Sequence, residues 1–95
     1  MEDIIRTLNI FNHERGWDKY HSNIKNVAEA LSVEASELLE LFLWKESKDV
    51  DISRLKEELA DVLIYSIIMA DKCSFDIKEI IFDKIEKKCI KIFDW

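Results

Sequence analysis

The chain contains no proline and a single glycine, Gly16, in 95 residues. With so few breakers, a chain turns mainly by ending one helix and starting the next, so the expected fold is all-α with short connections. Ile4, Ile5, Leu8 and Phe11 recur at helical spacing, which predicts a first helix over residues 2–14. Gly16 follows where a helix end often needs a left-handed residue. The segment "RGWDKYHS" is polar with aromatics interleaved and shows no clear period, so it reads as a loop. Ser22 or Asn23 can then cap a second helix reaching about Trp44.

Asp51 is placed to cap a third helix that runs to about Lys72 and is apolar around most of its circumference, so it should be covered on several sides. Its densest run, "VLIYSIIMA", is about half the ~20 residues of a membrane span and reads as a buried core helix. Asp76-Ile77-Lys78-Glu79 has the form of a capping box and opens a fourth helix, with Ile77, Ile81, Ile85 and Ile92 along one face. No repeat or second domain is visible, so residues 1–95 read as one domain. At this length an isolated copy would leave much of its apolar surface wet, which favours self-association.

The net charge of −6 argues against nucleic acid or a membrane surface as partner, since both select basic faces. A polyanionic small ligand would need a cation as a bridge. Cys73 and Cys89 have no zinc-finger or CxxC spacing, and the Met1 end lacks a signal pattern, so the expected location is cytoplasmic with reduced thiols.

The chemistry lies in "VEASELLELFLW". At about 100° per residue, Ile24, Val27, Leu31, Ala35, Leu38 and Phe42 form one stripe. Glu34 lies at the edge of that stripe, and Glu37 falls among Ala30, Leu41 and Trp44. On the third helix Glu58, Asp61 and Tyr65 share a sector flanked by Val62, Met69, Ile64 and Ile68. Two acidic pairs thus sit beside apolar surface. Carboxylates crowded away from water raise one another's pKa unless a cation intervenes, and an all-oxygen set suits Mg²⁺ or Mn²⁺ better than zinc. Two other readings stay open on pattern alone. The acids could be solvated and paired with lysines on a non-catalytic helical interaction module. A ferritin-like di-iron site is less well matched, because neither His13 nor His21 follows a glutamate in Glu-x-x-His register.

"VEASELLELFLW" followed by "EELADVLIY", with "ERGWDKYH", Lys25-Asn26, Trp44, Tyr65 and "DKIEKK", resembles the MazG-like all-α nucleoside triphosphate pyrophosphohydrolases, and more closely their dCTP-pyrophosphatase-like branch. The resemblance implies a four-helix bundle-like fold assembled as a homodimer or homotetramer. It implies that Glu34, Glu37, Glu58 and Asp61 hold Mg²⁺ on a nucleoside triphosphate. Cleavage between the α and β phosphates then yields a nucleoside monophosphate and pyrophosphate, with dCTP or a related pyrimidine deoxynucleotide favoured. Trp17, Trp44 and Tyr65 would form the base or sugar pocket, His21 would orient loop or substrate, and Lys84 and Lys88 would contact phosphate. Lys88 departs from the family, whose members usually carry Asn there, and "HSNIKN" is one residue longer than the usual form and lacks its Pro.

Overall fold

In the computed structural model, which describes residues 1–90 without the side chains of residues 47 and 90, the chain forms helices α1 (Glu2–Glu14), α2 (Asp18–His21), α3 (Ile24–Glu40), α4 (Ile52–Lys72) and α5 (Ile77–Ile90). A 3₁₀ turn at Ser47–Asp49 precedes α4. The four long helices occur where four are expected, with one end shifted. Asn23 caps α3, its side-chain oxygen accepting from the Lys25 amide at 3.0 Å, while the Ser22 hydroxyl donates instead to the Lys19 carbonyl at 2.6 Å. Asp51 Oδ1 accepts from the Ser53 and Arg54 amides, and Asp76 Oδ1 from the Glu79 amide.

Two stretches differ from the sequence reading. Residues 15–22 are not a plain loop: the His21 and Ser22 amides donate to the Trp17 and Asp18 carbonyls at 2.9 Å, making one helical turn. Gly16 at φ +70° turns the chain out of α1, and the Trp17 amide closes back on the Asn12 carbonyl at 2.9 Å. His13 Nδ1 also meets Asp18 Oδ2 at 2.7 Å. The turn buries His21, which is only 3% exposed, so a segment that is polar in composition supplies a core contact.

The second difference is the end of α3, which stops at Glu40 rather than near Trp44. The Leu41, Phe42 and Leu43 amides switch to carbonyls three residues back, and Trp44 adopts φ +64°. This tightening is compatible with burying Leu41 in the core, and Val50 is buried from the far end of the connection. Trp44 is left 99% exposed, so it does not end a core helix.

α3 and α4 form a helical hairpin that is the main packing unit, with α1 laid on α4 and α2 on α3. Val27 on α3 is completely buried, and Ile68 and Ala70 on α4 are buried as well. The expectation that α4 is covered on several sides holds for only part of its circumference, because Leu59 and Leu63 remain about half exposed. On α5, each described side chain after Ile77 is exposed, including Ile81 and Ile85. Ile92, placed on the same face by the sequence, lies outside the described residues. No helix among the described residues is long and apolar enough to cross a membrane.

Candidate active site

The hairpin converts two sequence pairs into one cluster. One carboxylate oxygen from each of Glu34, Glu37 and Glu58 lies within 4.8 Å of the others. Glu34 Oε2 and Glu58 Oε2 are both buried without a hydrogen-bond partner. Burial, followed by a hydrogen bond to Glu37 and the charges of Glu37, Asp61 and Glu58, pushes Glu34 up to about 7. Burial first, then the Glu37 and Asp61 charges, also raises Glu58 above the usual carboxylate range. Three acids held this close retain a proton near neutrality unless a cation takes its place, and two orphaned buried oxygens are the donors such a cation would use. The set is all oxygen, which fits a hard divalent ion. Asp61 stands beside the trio rather than within it. Its charge acts on Glu34, Glu58 and Tyr65.

On one side of the cluster lies an apolar cavity of about 340 Å³, walled by Leu8, Phe11, Trp17, His21, Ile64, Tyr65 and Ile68 and edged by Asp61. Trp17, His21 and Tyr65 also wall a second space of about 350 Å³, together with Tyr20. The rings meet edge to face: Phe11 with Trp17 at 5.8 Å, Trp17 with His21 at 6.2 Å, and His21 with Tyr65 at 6.1 Å between centroids. Arg15 stacks its guanidinium on Phe11 at 3.5 Å from the ring centre. Burial, assisted by the Lys72 charge, lowers the His21 pKa and favours the neutral ring, while His21 Nδ1 is buried without a partner. Burial and the neighbouring Glu34 and Asp61 charges raise Tyr65, keeping its hydroxyl protonated as a hydrogen-bond donor.

Nearer the N-terminal end of α4 is a polar cavity of about 430 Å³ lined by Glu37, Glu40, Leu41, Lys45, Arg54 and Glu58. On α4, Glu58 therefore borders the charged space and Asp61 the aromatic one.

Of the residues expected at the site, Glu34, Glu37 and Glu58 assemble, Asp61 adjoins them, and Trp17, His21 and Tyr65 share the aromatic wall. Trp44, Lys84 and Lys88 line none of these three cavities; Trp44 projects from its turn and the two lysines are on α5. Sequence reasoning missed Phe11 and Leu8, which it assigned only to a helix face, and Lys45 and Arg54. Arg54 had a usable signal, since it precedes Glu58 by four residues and so falls on the same side of α4.

The sequence model of the MazG-like family matches residues 30–92, a span holding both acidic pairs. dCTP pyrophosphatase 1 of Mus musculus is 35% identical over 94 aligned residues, which take in 90% of this chain and 55% of that protein. The Homo sapiens protein of the same name gives the same identity and coverage, so the chain spans about half the length of these mammalian relatives. A crystal structure of a pyrophosphatase from Archaeoglobus fulgidus matches with a TM-score of 0.89 and 36% identity, covering 100% of this chain and 93% of that one. The carboxylate trio and the aromatic wall thus lie on a fold shared along its whole length with a pyrophosphatase, and the chain belongs to the MazG-like family.

Proposed function

We propose that this chain is a divalent-metal-dependent nucleotide pyrophosphohydrolase that cleaves a nucleoside triphosphate between its α and β phosphates. dCTP or a related pyrimidine deoxynucleotide is the favoured substrate, and the role is sanitation of the cytoplasmic nucleotide pool by a single domain over residues 1–95. The observation that carries this reading is the carboxylate trio Glu34, Glu37 and Glu58 set against an aromatic cavity. The relatives named dCTP pyrophosphatase support the nucleotide class.

Glu34, Glu37 and Glu58, with Asp61 adjoining, would hold Mg²⁺ or Mn²⁺. The bound ion would offset phosphate charge and lower the pKa of a coordinated water. Trp17, Tyr65 and Phe11 offer ring faces and edges to a base, and such contacts tolerate different bases. His21, neutral and buried, can form a directional hydrogen bond on that wall. A carboxylate of the cluster whose proton affinity is raised is suited to accept the proton of the attacking water. The water oxygen forms a bond to the α phosphorus. The bond from that phosphorus to the bridging oxygen breaks, and the electron pair leaves with pyrophosphate.

A homodimer or homotetramer completes this reading. Ile80, Ile81, Phe82 and Ile85 on α5 are each about half exposed, which makes an apolar face suited to a second copy. Lys84 and Lys88 lie on that helix and can serve phosphate only if assembly brings α5 to a site.

The test is pyrophosphate release from a panel of nucleotides with Mg²⁺, using Glu37→Gln and Asp61→Asn as controls. Release from a pyrimidine deoxynucleotide, lost in the variants, is expected. No release from any nucleotide, or unchanged release in both variants, overturns the assignment, while a preference for a purine or oxidised nucleotide overturns the substrate alone.

A further inference from the structure

Four residues at intervals of four, three and four follow one face of α4: Arg54, Glu58, Asp61 and Tyr65. At 1.5 Å rise per residue this row is about 16 Å long and reads cation, acid, acid, aromatic. The cavities follow the same order. Arg54 and Glu58 line the polar one, and Asp61 and Tyr65 line the apolar one, so the two cavities lie toward the two ends of the row. Lys45, which follows the left-handed Trp44, lines the polar cavity together with Arg54.

We infer that the polar cavity receives the β and γ phosphates of the substrate, with Arg54 and Lys45 as their cationic contacts, so that pyrophosphate departs on the side away from the aromatic wall. This rests on the proposed pyrophosphohydrolase reading and fixes the direction in which the substrate lies.

Three observations support it. Both cations border a cavity whose other charged walls are glutamates, yet among the described residues neither forms an ion pair within 4.0 Å. Such cations are available to an anion, and an Arg fork matches phosphate oxygens in pairs. The cavity also shares Glu37 and Glu58 with the trio, so a cation held by these carboxylates would border it. Finally, the other cavity is lined by no Lys or Arg and is edged by Asp61, with His21 held toward its neutral form, so it offers a triphosphate tail no cationic partner. Hydrolysis at the α phosphorus transfers the bridging oxygen and its electron pair to the leaving pyrophosphate, and the added negative charge develops beside Arg54 and Lys45.

Calorimetric binding separates this inference from its parent. The probes are magnesium pyrophosphate, α,β-imido-dCTP and dCMP, and the proteins are wild type, Arg54→Ala, Lys45→Ala and Arg54→Lys. Each alanine variant should bind pyrophosphate and the imido analogue roughly tenfold more weakly, as expected for losing a charged hydrogen bond, and should leave dCMP binding unchanged. Arg54→Lys should recover part of the loss. Equal weakening toward dCMP, or no weakening toward pyrophosphate in a wild type that releases it, overturns the inference alone. A wild type that neither binds these probes nor releases pyrophosphate overturns the proposed reaction, and the inference with it.

Discussion

The α3–α4 hairpin and α5 carry similar proportions of apolar residues but use them differently. On α3, Val27 has no exposed surface, while on α5 Ile81 is 51% exposed and Phe82 is 58% exposed. The hairpin buries its apolar stripe within the chain and thereby forces Glu34, Glu37 and Glu58 together. α5 leaves its own face uncovered by the described residues. One helix pair thus holds charges that repel, stabilised by the packing around them, and the other element holds apolar surface that only another surface can satisfy. The functional strain and the unsatisfied adhesion are in separate places.

That separation can be broken experimentally. The largest effect is expected on activity: Glu58→Gln should lower pyrophosphate release by at least roughly a hundredfold, the upper end of what loss of an outer metal-site partner costs, with helicity unchanged by circular dichroism. Charging the other region should do something different. Ile81→Glu with Ile85→Glu should shift the particle toward the 11.3 kDa of one chain in light scattering, while α3 and α4 stay folded. An unchanged particle mass would detach α5 from self-association. Val27→Ala should cost about 2 kcal/mol in urea denaturation, in the range for trimming a fully buried aliphatic group. The matching Ile85→Ala, measured in the monomeric background, should cost no more than about 0.5 kcal/mol, as for an ordinary surface site.

The smallest effect is on pH dependence without metal. Glu34 has its carboxyl pushed from 4.5 up to about 7, so the folded form holds the proton more tightly than the unfolded chain does. The Glu34 contribution to stability is therefore fully present below about 4.5, is lost as pH rises toward 7, and levels off above that. Thermal melts of the metal-free protein should show this decline, and Glu34→Gln should flatten it. A Glu34→Gln profile parallel to that of the wild type would mean that Glu34 is not crowded as described.

Much of this was legible in the residues. The caps Asp51 and Asp76, the bounds of α1 and α4, and both acidic pairs follow from spacing and local chemistry. The helical turn at Asp18–His21 was hidden because its aromatic residues lie among charges, and its stability comes from His21 entering a space between α2 and α4 that no local pattern reveals. The end of α3 was misplaced for the converse reason. Phe42, Leu43 and Trp44 keep a helical look in sequence, but burying Leu41 and Val50 accompanies a tight turn that sends Trp44 outward. Lys45 and Arg54 were passed over because charged residues on helix ends are usually solvated, and only the cavity between them sets these two apart.

The central claim is that Glu34, Glu37 and Glu58 form a divalent cation site, and titration calorimetry with Mn²⁺ tests it without reference to any substrate. Binding should be saturable at about pH 8, weaken at about pH 5 where protons compete for the same carboxylates, and be lost in Glu34→Gln and Glu58→Gln. Absence of saturable binding in the wild type, or equal binding in both variants, would contradict it.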